Sequence, residues 1–211
     1  DWIPAYRLSM GATLPRIPSL PALWRDPLRR ALPDSGLLVD MRSGAPAFGT
    51  PEYAKAALLG GQLARRYAIP YRSSGVSASN AVDAQAMYET MLSLYGAVLG
   101  GCNLLIHAAG WLEGGLTASK EKLILDVEVL QMLAETFQPL VVDDAEIGLD
   151  AIGETAPGGH FFGGAHTLER YRTAFYEPLV SDWANYGQWV EEGSRDATQR
   201  ANETWKRVLA E

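Results

Sequence analysis

Cysteine is almost missing: Cys102 is the single one in 211 residues. An internal disulfide framework is therefore excluded, and the composition suits a reducing, cytoplasmic compartment. Basic charge is scarce as well. Lys and Arg number 18 against 25 Asp and Glu, a net charge of -7, so no nucleic-acid partner is expected, because phosphate neutralisation requires a basic face. Long hydrophobic runs are absent too: Gly or a charged residue interrupts each one well before the ~20 residues of a spanning helix. No Cys/His cluster has zinc spacing, and His160 and His166 are too far apart for an i,i+4 pair, so no metal site is expected. Neither G-x-G-x-x-G after a strand nor G-x-S-x-G occurs, which argues against a dinucleotide-binding sheet and a nucleophile elbow. The chain starts at Asp1 with no initiator methionine and no signal peptide, as expected of a fragment or a processed piece.

What is present is an ordinary globular composition, 47% hydrophobic with a mean hydropathy of -0.06. Residues 1–36 stand apart. They hold six of the twelve prolines and five arginines against three acids, and they read as an irregular extension with a short helix over 21–32 interrupted at Pro27. From Leu37 a rhythm begins. The apolar run 37–41 reads as a buried strand, and Thr50-Pro51-Glu52 as a capped helix start running to about Tyr67. A second strand over 68–72 precedes a helix from Val82 to Leu99, with Met87, Met91, Leu94, Tyr95 and Val98 on its apolar face. A third strand over 103–107 precedes a helix capped by Ser119 with Leu123, Val127, Leu130, Ala134 and Phe137 on one stripe. A fourth strand is expected over 139–143. Helices are expected over 168–175, 181–191 and 194–209, with Trp183, Trp189 and Trp205 docking that layer. Strand ends near Asp40, Tyr71, His107 and Val142 lie about 35 residues apart, the length of a βα unit. Every strand ends in polar or aromatic residues and a flexible loop, which favours an α/β (β/α)8 TIM barrel over an open sheet, with about half the units present.

The third strand carries the chemistry. Leu104, Leu105 and Ile106 lead to His107 and then to the glycine-rich AAGWLEGG, which leaves Trp111 and Glu113 free to stand over a cavity. All three histidines, His107, His160 and His166, lie in or beside such loops. Trp111, Phe161, Phe162 and Tyr71 offer aromatic faces for a quaternary ammonium by cation-π contact; core packing is the alternative for each. Arg42 and Arg72 could clamp a carboxylate, or brace the rim by pairing with Asp40, Asp143 or Glu113. Glu113 could serve as acid, base or counter-charge. Asp83 and Gln85 read as capping and packing residues.

Four collinear strings carry a resemblance: VDMRSGAPAFGTPEYAKA from Val39, DAQAMYE from Asp83, HAAGWLEGGLTASKEK from His107 and GGHFFGGAHTLERYR from Gly158. The chain resembles the trimethylamine methyltransferase family of corrinoid-dependent enzymes. The resemblance implies that residues 37–211 are the C-terminal half of a TIM-barrel domain, while 1–36 do not share the pattern. It also implies methyl transfer from a methylated amine to the Co(I) corrinoid (cobalamin) of a separate carrier protein, with no cofactor held tightly by this chain. Trimethylamine-specific members carry pyrrolysine, and none is present, so a quaternary amine such as glycine betaine is the expected substrate. Within this frame His107 and Glu113 are the expected catalytic residues, and Asp40, Arg42, Tyr71, Arg72, Trp111, His160, Phe161 and His166 the expected substrate-binding set. Two alternatives remain: an inert barrel fragment that forms homo-oligomers through open sheet edges, and a barrel enzyme acting on another anionic substrate.

Overall fold

A computed structural model describes residues 38–211. The expected extension over 1–36 and its short helix lie outside the described residues, as does Leu37 of the first expected strand.

Local capping chemistry sets where the long helices begin. In α1 (Pro51–Arg66) the Thr50 hydroxyl accepts the Tyr53 amide, Pro51 takes the first turn, and Arg65 and Arg66 lie at the negative end. In α2 (Ala84–Leu99) the Asp83 carboxylate accepts the Ala86 amide at 3.1 Å. In α3 (Lys120–Thr136) the Ser119 hydroxyl accepts the Lys122 amide at 3.3 Å. Between α1 and α2 lies β1 (Arg72–Ser74), and between α2 and α3 lies β2 (Leu104–Ile106). These two strands pair in parallel, with Arg72 opposite Leu104 and Ser74 opposite Ile106, as a βαβ unit requires. After β2 comes an antiparallel hairpin of β3 (Trp111–Leu112) and β4 (Thr117–Ala118) around a 3-10 turn over Glu113–Gly115, where a plain loop is expected from sequence. Short helices α4 (Asp144–Ile147), α5 (Leu149–Glu154), α6 (Ala165–Arg170) and α7 (Tyr186–Glu191) precede α8 (Ala197–Ala210).

The helices α1 and α2 meet through glycine. A Cβ on Gly61 would sit 1.8 Å from the Gly100 carbonyl oxygen, and one on Gly96 would sit 3.0 Å from the Ala54 Cα. Helix α3 lies between two neighbours. On one side Val129 and Leu133 pack with Leu94 of α2, joined by Met87, Met91 and Tyr95 from its expected apolar face. On the other, Leu125 packs with Val180 and Ala201 of α8. Glu128 draws in the intervening chain by accepting the Leu179 and Val180 amides at 2.6 and 2.9 Å. Trp205 docks α8 by donating from Nε1 to Glu121 at 2.8 Å, and Asn202 donates to the same oxygen. These bonds, with one from Ser119, hold the Glu121 carboxyl down at about 2. The other two tryptophans differ from expectation: Trp189 donates to the Arg195 carbonyl within its own layer, and Trp183 is 64% exposed.

Three other expectations are corrected. The α3 stripe is displaced, since Leu123 and Phe137 are exposed and the buried face is Lys122, Leu125, Asp126, Glu128, Val129 and Leu133. A helix covered on two sides has no single apolar stripe to read. The strand expected over 37–41 gives one antiparallel bridge, Val39 with Pro46, and Met41 is exposed. The run over 139–143 forms no ladder, and Leu140 stands 92% exposed. A strand requires a continuous ladder to a neighbour, and among the described residues the first run has a single bridge and the second has no partner. No helix among the described residues is long and apolar enough to cross a membrane.

Two outcomes check this packing. Gly61→Ala should lower stability by about 1–3 kcal/mol, measured by urea denaturation, because the obstructing atom is backbone that cannot swing aside. The stabilisation from Glu121 should be complete above pH about 4.5 and fade as the pH falls towards about 2, because the folded state holds this carboxyl below its ordinary value. Trp205 fluorescence should follow that loss, and Glu121→Gln should remove the transition from this window.

Candidate functional site at the ends of the two parallel strands

Parallel register brings the carboxyl ends of β1 and β2 side by side, Ser74 beside Ile106. His107 follows directly and turns out of the strand with φ +50°, a left-handed conformation that a non-glycine residue holds only where its surroundings enforce it. Its Nδ1 lies 3.4 Å from the Ser74 hydroxyl oxygen. Trp111 stands edge-on to the imidazole, with ring centroids 5.6 Å apart and planes at 90°. Arg72, two residues before Ser74, lies on the same face of β1. Lost hydration on the packed side of the ring, and secondarily the Arg72 charge, hold His107 below its ordinary value of 6.5. The imidazole is therefore neutral at pH 7 and free to position or accept rather than to repel a cation.

Glu113 sits at the start of the hairpin turn, also with φ +50°, and its carboxylate accepts the Thr117 hydroxyl at 2.9 Å. The turn rests on the loop after β1: the Glu113 amide donates to the Ser79 carbonyl and the Gly114 amide to the Ser77 carbonyl, at 2.8 and 2.9 Å. The segment over 38–49 lies alongside, since a Cβ on Gly114 would meet the Phe48 ring at 3.4 Å. In that segment Asp40 closes its own turn. It accepts the Ser43 hydroxyl and the amides of Arg42 and Ser43, which hold its carboxyl below the usual range. Arg42 is exposed there.

Several expected site residues are engaged elsewhere. The Tyr71 hydroxyl donates to the Ala57 carbonyl of α1 at 2.8 Å. The ring of His160 packs on Phe162 at 5.2 Å, with Phe161 half exposed beside them. The His166 Nε2 lies 2.8 Å from the Ala145 carbonyl. The structure thus packs Trp111 beside His107 past the carboxyl end of β2, with Glu113 two residues further on and Arg72 at the start of β1, close enough for its charge to act on His107; Asp40 and Arg42 lie in the adjoining loop, and His160, Phe161 and His166 in a separate segment. Among the described residues no three His, Cys, Asp or Glu side chains assemble to hold a metal ion.

Beneath the corner lies a layer of buried charge that sequence reasoning missed. Lys122 on α3, fully buried, pairs with Asp126 one turn on and donates to the Thr90 hydroxyl of α2 at 2.8 Å. Asp126 also accepts the Gly110 amide at 2.8 Å. Glu89 of α2 accepts the amides of Ala78 and Ser79 at 2.8 and 2.9 Å and the Gln85 side-chain amide. Burial pushes Lys122 down and Asp126 up from their ordinary values, and their mutual attraction opposes both shifts. The one sequence signal was the i,i+4 spacing of Lys122 and Asp126, which more often marks a solvated pair.

The trimethylamine methyltransferase family model matches residues 35–211. The chain belongs to this family. It is 40% identical over 174 residues to a glycine betaine methyltransferase of Desulfitobacterium hafniense strain Y51, covering 82% of this chain and 36% of that one. It is 31% identical over 170 residues to a trimethylamine methyltransferase of Desulfitobacterium hafniense strain DCB-2, covering 80% and 34%. A trimethylamine methyltransferase of Methanosarcina barkeri is 28% identical over 173 residues, covering 81% and 34%. The chain thus spans about a third of the length of these relatives.

In an NMR titration the His107 imidazole should titrate below 6.5. Arg72→Gln should raise its pKa, because removing a neighbouring cation favours the protonated ring, yet leave it below the ordinary value because lost hydration is the larger cause.

Proposed function

We propose that this chain forms the C-terminal part of a TIM-barrel methyltransferase that removes a methyl group from a quaternary amine of the glycine betaine type. The acceptor in this reading is a corrinoid carried by a separate protein. The observation that carries the substrate choice is the pairing of two chemistries around His107: the Trp111 ring packs beside it past the carboxyl end of β2, and Arg72, at the start of β1, is close enough for its charge to act on it. A trimethylammonium seeks an aromatic face, and a carboxylate seeks a guanidinium. Trimethylamine has no carboxylate to meet Arg72. The higher identity to the glycine betaine enzyme, 40% against 31% for the Desulfitobacterium trimethylamine enzyme, supports the same choice.

A Co(I) corrinoid presented by its carrier would supply the nucleophile for the methyl carbon. The carbon-nitrogen bond breaks with its electron pair staying on nitrogen, so the leaving group is a neutral tertiary amine and needs no proton from the protein. This chain's contribution is to bind and orient. Trp111 holds the ammonium, Arg72 draws the carboxylate, and the neutral His107 fixes the Trp111 edge without adding positive charge. Glu113 adds a negative charge near the cation. Such placement accelerates transfer by aligning the reacting atoms and excluding water.

One observation favours a second reading alongside the first. Leu140, Val141 and Val142, at 92, 68 and 76% exposed, offer an apolar edge that association with another copy would cover. Sedimentation of the chain showing only monomer would count against that reading.

The direct test mixes the chain with a Co(I) corrinoid protein and follows the corrinoid's visible spectrum on adding glycine betaine or trimethylamine. Glycine betaine should change the spectrum, and Trp111→Ala should reduce kcat/KM about 10- to 30-fold, the loss of one desolvated cation-π contact. No change with any methylated amine would overturn the proposal.

A further inference from the structure

We propose that Asp126, paired with Lys122, and Glu89, on the helix that Lys122 also binds, are positioning residues that set the Trp111 corner, and that this placement, not stability, is what the buried charges provide. The inference rests on the reading of the His107–Trp111 corner as the site. Three charged side chains, Glu89, Lys122 and Asp126, are buried in one layer, at 7, 0 and 1% exposure. Such a layer is an expensive way to fill a core. Buried ion pairs replaced by apolar residues of similar volume commonly leave stability equal or higher, and Leu125, Val129 and Leu133 show that α3 packs well with apolar residues.

Where the carboxylate oxygens go separates this layer from an ordinary internal salt bridge. One Asp126 oxygen faces Lys122, and the other accepts the Gly110 amide, the residue directly before Trp111. Gly110 has φ +85°, and a Cβ there would meet the Leu123 Cβ at 3.3 Å, so this peptide is held closely against α3. Glu89 does the same for the other loop, fixing the Ala78 and Ser79 amides. The carbonyls of Ser77 and Ser79 in turn hold the Gly114 and Glu113 amides of the hairpin turn. Lys122 bridges the two helices that carry the clamps: it pairs with Asp126 on α3 and donates to Thr90, the residue next to Glu89 on α2. The loops after β1 and β2 are therefore both fastened to helices through buried carboxylates, and Trp111 with Glu113 lies between the two fastenings. None of the three charged groups reaches the corner, so each acts through backbone.

The test compares two uncharged double variants of the full chain. K122M/D126L removes the pair and the acceptor for Gly110, whereas K122M/D126N removes the pair but keeps an amide oxygen that can accept from the Gly110 N–H. The readout is the His107 ring resonance, assigned by its loss in H107Q, which senses Trp111 through its ring current, together with hydrogen exchange at the Gly110 amide. In K122M/D126L the His107 shift should move towards its W111A value and Gly110 exchange should rise about tenfold or more. K122M/D126N should keep both near wild type, and both variants should melt close to it. A folded K122M/D126L with unchanged His107 shift and Gly110 exchange would overturn the proposal, as would equal displacement in the two. Should the double variants not fold, E89M decides, because it removes the acceptor for the Ala78 and Ser79 amides. Faster exchange at Ala78, Ser79, Glu113 and Gly114 with Gly110 unchanged supports the proposal, and a uniform change across the chain overturns it. No readout needs turnover, so an inactive chain in the methyl-transfer assay leaves this result standing on its own.

Discussion

The contact between Asp126 and the Gly110 amide joins the two halves of this structure that matter. On one side is α3, a helix packed between α2 and α8 and started by Ser119. On the other is the peptide that turns from His107 into the hairpin carrying Trp111 and Glu113. A glycine-rich loop leaving a short strand has little of its own to hold it, since small residues bury little surface and lose much conformational freedom on ordering. A buried acceptor with its own counter-charge gives the loop one strong, directional anchor. Glu89 supplies the matching anchor under the neighbouring loop. The strained backbone at His107 and Glu113, both at φ +50°, is then held from below.

In the proposed reading the protein binds and aligns the substrate while the chemistry comes from a group presented by another protein. In the proposed reading Trp111 meets the cation and Arg72 the anion, with a neutral His107 beside them. The fold holds two parallel strands and an exposed apolar run at Leu140–Val142, and the chain covers about a third of the glycine betaine methyltransferase to which it is similar. Membership of the trimethylamine methyltransferase family ties these features together.

Features set by near neighbours in sequence were legible. Thr50, Asp83 and Ser119 cap the helices expected of them because capping depends on three or four consecutive residues. The parallel strand 104–106 was readable for the same reason, from an apolar run that stops at a histidine before glycines. Features set by distant partners were not. The runs at 37–41 and 139–143 have strand composition, but pairing is decided by chain elsewhere. The α3 stripe was misread because α8, some seventy residues on, covers a second face. Lys122, Asp126 and Glu89 were overlooked because charged residues on a helix are almost always solvated, and only the fold reveals Gly110, Ala78 and Ser79 as their partners.

The central claim is that the corner of Trp111, His107 and Arg72 receives a quaternary ammonium bearing a carboxylate. Titration calorimetry of glycine betaine into the wild-type chain, Trp111→Ala and Arg72→Gln tests it most directly. The account predicts binding by the wild type that weakens about tenfold in either variant, and weaker binding of the uncharged carbon isostere throughout. Equal affinity for glycine betaine in all three proteins, or no preference over the isostere, would contradict it.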